Sequence, residues 1–350
     1  MLVASVLLGA LAVVLLPREE EPQIVVPMSD VTVTMPEASA KEIEERVTKP
    51  LERLLWEIPG VEYLYSTSSP GVASVIVRFR VGEDEERSMV RLTEKLAAHA
   101  DVVPPGASAP LVKPRTIDDV PVLALTLSSP RATGFELRRL AAELEESVKQ
   151  VEGVSTVTLI GGERRQVRVL FDPEAMAARG LSPLAVAATL RAANAREPAG
   201  TITRDDRTVL LETGALLTSG RDVEGVVVGA AGGRPVYLRD VARVVDGPEE
   251  PTTYVRFGTG AGAPRGASPG ADAAVTVTVA KHKGTNAVAV VADVMRKVDA
   301  LRPSLLPSDV ALTVTRDYGE TAAEKSNELL LHMGIAVVSV AILIGIALGR

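Results

Sequence analysis

The chain has 350 residues, 46% of them apolar and 24% charged, so it is long enough to bury more than one hydrophobic core. A net charge of -7, with no clustered Lys/Arg run and only 3% aromatic residues, excludes a nucleic-acid binder, which needs concentrated cations to neutralise phosphate. The lack of any cysteine rules out disulfides and thiolate metal sites.

In chain order, Leu2 to Leu16 is an unbroken run of apolar or small residues, closed by Pro17-Arg18-Glu19-Glu20-Glu21-Pro22. Nothing basic precedes it, and it ends in Leu15-Leu16-Pro17 rather than a small-x-small cleavage site, which favours a membrane span over a secretory signal. A transmembrane helix is expected over 1–16, cut short at its start because crossing a bilayer takes about 20 residues.

Val31–Met35 then alternates as a strand, and Ser39-Ala40-Lys41-Glu42 reads as a capping box. Ile43, Val47, Leu51, Leu54 and Leu55 follow at helical spacing, with Pro50 expected to kink the helix before it stops at Pro59-Gly60. Two strands, Val61–Ser68 and Val72–Val81, a helix over Glu85–Ala100 and a strand over Leu111–Ile117 complete a βαββαβ unit of the ferredoxin-like kind.

The same order of elements then begins again. Val122–Leu127 reads as a strand, Thr133-Gly134-Phe135-Glu136 as a second capping box, and Leu137, Leu140, Leu144, Val148 and Val151 as an apolar helix face ending at Gly153. Strands Val154–Ile160 and Gln166–Phe171 are expected to follow across Gly161-Gly162. Ser39 to Gly60 is 21 positions and Thr133 to Gly153 is 20; Gly60 to Phe79 is 19 and Gly153 to Phe171 is 18. The missing end of the second copy reappears later, as strand Ala273–Ala280, helix Asn286–Leu301 and strand Val310–Thr315. Between them, 173–272 reads as an inserted domain, ending in the Gly-rich linker Gly258–Asp272. Its glycines miss the dinucleotide spacing because position 263 is Ala263.

Leu329 to Leu348 is a 20-residue stretch whose only polar side chains are His332 and Ser339, and Gly349-Arg350 follows. A second transmembrane helix is expected over 328–349. Neither span carries Asp, Glu, Lys or Arg in its interior, so this chain contains no proton relay. No enzymatic constellation is found: His99, His282 and His332 are scattered, and the pairs Asp118-Asp119 and Asp205-Asp206 read as solvated loops. No cofactor is expected, and no metal site, the methionines at 28, 35, 89, 176, 295 and 333 being dispersed.

The run LPREEEPQI after the first span, then PEASAKEIEERVTKPLERLLWEIPGVEYLYSTSSPG, resembles the opening of resistance-nodulation-division (RND) efflux permeases, the drug- and amphiphile-exporting branch in particular. Further stretches agree in order: VEGVSTVTLIGGERRQVRVLFDPEAMAARGLSPLAV, ANAREPAG, PVYLRDVARVVDGP and KHKGTNAVAVVADV.

The resemblance implies an α+β architecture of two ferredoxin-like porter subdomains, 24–117 and 120–172 with 273–316. The second would be split by a docking-domain insertion at 173–272, and the two transmembrane helices would flank the whole. It implies a bacterial inner-membrane protein with residues 17–328 in the periplasm, working as a homotrimer with a periplasmic adaptor protein and an outer-membrane channel. Its cargo would be hydrophobic or amphiphilic small molecules moved by proton-driven export. The strand Val122–Leu127 and the loop at Ile160 match places where drug exporters present phenylalanines to their pocket. Leu123, Leu125 and Ile160 are therefore the expected substrate-path residues, aliphatic where the family is often aromatic. Two other readings stay open: export of heavy metals, as in another RND branch, and a two-span periplasmic sensor or assembly protein. The chain stops where its second span stops, as a fragment of a longer permease would.

Overall fold

The computed structural model describes residues 8, 9, 11, 12, 18, 26–116, 119–204, 206–260 and 271–349. The first expected span, 1–16, lies outside the described residues save four helical positions; so do Asp118, Asp205 and most of the Gly-rich linker. The chain divides into two compact units: Met1–Ser129, Leu140–Ile160 and Val275–Arg350 form one, Pro130–Arg139 and Gly161–Ala274 the other. Each strand pairing whose register is described is antiparallel.

In the first unit, β1 (Met28–Thr34) alternates as expected and buries Val31 and Val33 completely. Ser39 caps the helix that follows: its Oγ accepts from the Glu42 N–H at 3.3 Å, and the Glu42 carboxylate accepts from the Ser39 N–H at 2.8 Å. The helix runs as α1 (Ala40–Ile43), a π-helical turn (Glu44–Thr48) and α2 (Lys49–Trp56). The Lys49 N–H donates to the Glu44 carbonyl five residues back, so the ladder widens by one residue just before Pro50, which has no N–H to give. After β2 (Val61–Ser69), β3 (Val72–Phe79) and α3 (Glu85–Ala98), β4 (Leu111–Arg115) closes a sheet of order β2-β3-β1-β4. Val31, Val75, Val77 and Phe79 of the sheet pack with Ile43, Leu51, Leu55 and Leu92 of the helices as one core.

The second set starts with β5 (Pro121–Ser129), α4 (Gly134–Val148) and β6 (Val154–Ile160). Its cap repeats the first in detail, the Thr133 N–H to Glu136 bond at 2.8 Å and the return bond at 3.3 Å. The structure then departs from the expected β6-to-β7 hairpin. Gly161 and Gly162, at φ of 87° and 67°, turn the chain away, and β7 (Arg165–Phe171) pairs with a later strand of the second unit.

That second unit continues with α5 (Pro173–Ala177), α6 (Pro183–Ala193), β8 (Glu197–Arg204), β9 (Arg207–Thr213) and α7 (Gly220–Glu224). After these come β10 (Val227–Ala231), β11 (Arg234–Tyr237), β12 (Ala242–Pro248) and β13 (Arg256–Phe257). β12 is the partner of β7, and Met176, Val186, Val223, Val236 and Leu238 make the unit's core. β8 and β9 form a ribbon whose described residues are all exposed.

β14 (Asp272–Lys281) returns to the first unit, followed by α8 (Ala287–Leu305), β15 (Ala311–Asp317) and α9 (Tyr318–Leu348). There β6 pairs with β14, and β15 with β5, in the order β6-β14-β5-β15. The 273–315 segment therefore shares a sheet with β5 and β6, and β14 takes the third-strand place expected of β7. α9 is 31 residues long; its foot docks through Gly319, where a Cβ would lie 3.0 Å from the Val291 Cβ of α8, and its apolar stretch is exposed. Among the described residues it is the one helix long and apolar enough to cross a membrane.

Candidate functional site

Strand registers decide which side chains share a surface, because alternate residues of a strand point to opposite faces. In the first sheet Val31, Val33, Val75 and Val77 face the helices. The other face carries two transverse rows, Tyr65–Ile76–Asp30–Lys113 and Tyr63–Arg78–Met28–Arg115, read directly from the paired positions. Tyr63 and Tyr65 are about half exposed, with ring centroids 6.2 Å apart, and the Arg78 guanidinium lies over Tyr63.

In the second sheet Ile160 sits opposite Thr276. The Thr276 hydroxyl bonds Thr126 at 2.9 Å, and Thr126 bonds Thr315 at 3.0 Å. This chain of hydroxyls crosses β14, β5 and β15 and ends at Ile160, which is 47% exposed. Leu123 and Leu125 have the opposite parity to Thr126 on β5. Both are completely buried on the side where β5 meets α8, along with Val275, Val277 and Val279 of β14. The three substrate-path residues expected from sequence are thus not brought together: Ile160 is on the open face, and Leu123 and Leu125 are structural core. The residues of β5 that share Ile160's face are Val122, Ala124, Thr126 and Ser128.

A cavity of about 690 Å³ lies in the first unit, where these two open faces approach each other. The first sheet supplies Met28, Asp30, Lys113 and Arg115; the second supplies Thr156 and Thr158 of β6 and Pro121 at the start of β5; the connection between the sheets adds Asp119 and Val120. Its size is within the range of small-molecule sites, and its lining joins apolar walls to a few placed charges. Arg115 Nε donates to Asp30 Oδ2 at 2.9 Å. The other oxygen, Asp30 Oδ1, is buried and has no hydrogen-bond partner among the described residues. Asp119 is engaged locally, accepting from the Thr116 N–H at 3.0 Å and its hydroxyl at 3.2 Å. Among the described residues no three His, Asp or Glu side chains gather as metal ligands would.

Sequence reasoning missed Asp30, Lys113, Arg115 and the threonine row. Asp30 and Lys113 are 83 positions apart and meet only through strand register, so no local motif announces them.

The chain matches the profile described as the AcrB/AcrD/AcrF family over residues 1–349. It is 29% identical over 347 residues to Multidrug resistance protein MdtC of Yersinia pseudotuberculosis serotype O:1b, and equally to that of Yersinia pestis bv. Antiqua strain Angola. The match covers 99% of this chain and 33% of each relative, so the chain spans about a third of the length of the curated relatives it matches. With the profile matched across nearly its whole length, the chain belongs to the AcrB/AcrD/AcrF family of RND permeases, a family of transporters rather than enzymes.

Proposed function

We propose that this chain is the leading part of a proton-driven efflux permease that takes hydrophobic or amphiphilic molecules from the periplasm. The observation that carries the reading is the doubled strand order. β2-β3-β1-β4 and β6-β14-β5-β15 are both second–third–first–fourth within their own copies, as two ferredoxin-like porter subdomains require. In this reading 24–117 is the first subdomain and the second is drawn from 120–172 with 273–316, less β7, which pairs within the other unit while the third strand is supplied from beyond the insertion. α9 then anchors the second subdomain in the inner membrane, and the first span anchors the other. The cavity between the two open faces is a stage of the substrate path, with Ile160 beside it. Leu123 and Leu125 support that surface from behind.

Assembly as a homotrimer is favoured by the β8–β9 ribbon. An isolated hairpin is marginal in water, and this one exposes Ile202, Val209 and Leu210. A neighbouring protomer would cover them. A periplasmic adaptor and an outer-membrane channel would complete the route, and the name carried by the relatives favours drugs as cargo.

The test is a chimera in which this chain replaces the matching third of a full-length relative. The chimera should restore drug tolerance to a pump-deficient strain. Ile160→Asp, which puts a charge on the open face, should lower that tolerance at least fourfold with membrane abundance unchanged. Undiminished tolerance would remove Ile160 and its surface from the path.

A further inference from the structure

We infer that Arg18 is a positioning residue: it staples the exit of the first span to α8 and α9, so that a shift of that span reaches the second sheet's helices directly. The inference rests on the reading of Leu2–Leu16 as a membrane span, and adds what that span is fastened to.

Four observations carry it. Arg18 is held at two points: its Nη1 donates to Asn327 Oδ1 of α9 at 3.2 Å, and its carbonyl accepts from the Ala287 N–H at 3.2 Å. Ala287 is the first residue of α8 and is buried, so its N–H has neither an intrahelical acceptor nor water. The N-cap Asn286 accepts from the Val288 N–H instead, and the Arg18 carbonyl completes the cap. Chain connectivity does not impose this placement. Arg18 precedes Met28 of β1 by ten positions, a reach of up to roughly 35 Å, so the covalent chain alone leaves Arg18 free to lie elsewhere. The heights also match. Arg18 stands two positions after the apolar run that ends at Leu16, and Asn327 two positions before the one that starts at Leu329. A bond between them joins the two apolar stretches at the level where each leaves the bilayer. Finally, the partner is stiff. α9 runs unbroken from Tyr318 through Asn327 into its apolar stretch; Ala322 near its foot is buried, and Gly319 lets it close on Val291 of α8. The staple therefore adds the first span to a body that already joins α8 to the second span.

The chain has no cysteine, so labels can be placed in pairs without background. Spin labels on Leu11→Cys and Ile335→Cys, both at exposed positions, report the distance between the spans of the full chain in lipid nanodiscs. Hydrogen exchange of the Ala287 amide reports the backbone half of the staple. The unaltered chain should give one narrow distance and a protected amide. Arg18→Ala should broaden the distance and, by releasing the carbonyl as well, speed the Ala287 amide at least about tenfold. Asn327→Asp makes the bond charge-assisted and should keep the distance narrow; adding Arg18→Ala to it should broaden the distance again. A side chain that merely fills space would show no such dependence on its partner. A distance as narrow in Arg18→Ala as in the unaltered chain, with Ala287 still protected, would overturn the staple. A broad distance in every version would overturn it too. A Leu11 label open to a water-soluble relaxation agent would strike the span reading itself, and the inference with it, whatever the distances.

Discussion

At the scale of single residues, the two capping boxes show how closely the copies follow each other. Glu42 is held below the ordinary carboxylate range by the Ser39 backbone N–H and then by its hydroxyl; Glu136 is lowered by the Thr133 N–H and hydroxyl in the same order. Both were legible because a capping box is a local code, complete within four residues. The inserted unit has a less local device. Arg165 grips Asp246 with two bonds, Nε to Oδ1 at 2.8 Å and a terminal nitrogen to Oδ2 at 2.6 Å, and the Gly220 N–H also donates to Oδ2. Arg165 first, and the Gly220 N–H second, keep the Asp246 carboxyl below its usual value. A carboxylate with a folded value below the unfolded value contributes stability above the unfolded value, about 3.9, and loses it as pH falls through the folded one. Asp246→Asn should therefore speed hydrogen exchange of the β7 and β12 amides relative to the unaltered chain at pH 6. The two proteins should converge only as pH falls below the lowered folded value of the Asp246 carboxyl. A difference that persists unchanged in acid would mean that packing, not the charge, is what the substitution disturbs.

At the scale of elements, the matched glycines that end the first helix of each copy do different work. Gly60 and Gly153 both have positive φ, 92° and 85°, where a side chain costs about 1–2 kcal/mol in backbone strain. A Cβ on Gly60 would meet the Glu83 carboxyl at 3.0 Å, the far end of a side chain that can swing aside. A Cβ on Gly153 would lie 2.8 Å from Val290 Cγ2, in the packed side of α8. Gly153→Ala should lower the thermal midpoint clearly more than Gly60→Ala, and equal losses would show that α8 shifts freely. The sequence marked both glycines as helix stops, yet the second one's close neighbour is 137 positions away and invisible to any local reading. The position of Leu123 and Leu125 in the core was hidden for a related reason. Val122 to Leu127 is apolar on nearly every position, since the strand is covered on both faces, so alternation could not say which residues face the helices.

At the scale of the whole molecule, the proposed trimer makes the β8–β9 ribbon the element that most needs a neighbour. Leu210→Asp, on a residue 58% exposed, should leave each protomer folded and shift detergent-solubilised assemblies toward monomer on sizing with light scattering. An unaltered mass would give trimer contacts to other surfaces. The same scale explains why β7 was misplaced. Loop closure grows only logarithmically in cost with length, so β6 can take a partner more than a hundred residues onward with little penalty over the adjacent strand. Nothing in the composition of Arg165–Phe171 distinguishes the two destinations.

Read alone, the sequence determined what short-range chemistry controls: the caps, the helix stops, the repeated order of elements, the apolar stretch of α9 and the family. Those depend on spacings of a few residues, or on the ordered sum of many. Only the tertiary structure decided which strand fills the third place in the second sheet, which face of β5 turns to the helices, and that Asp30, Arg115 and Thr158 border one cavity. Each of these depends on strand register between distant segments, and a shift of one residue would turn every side chain involved to the other face.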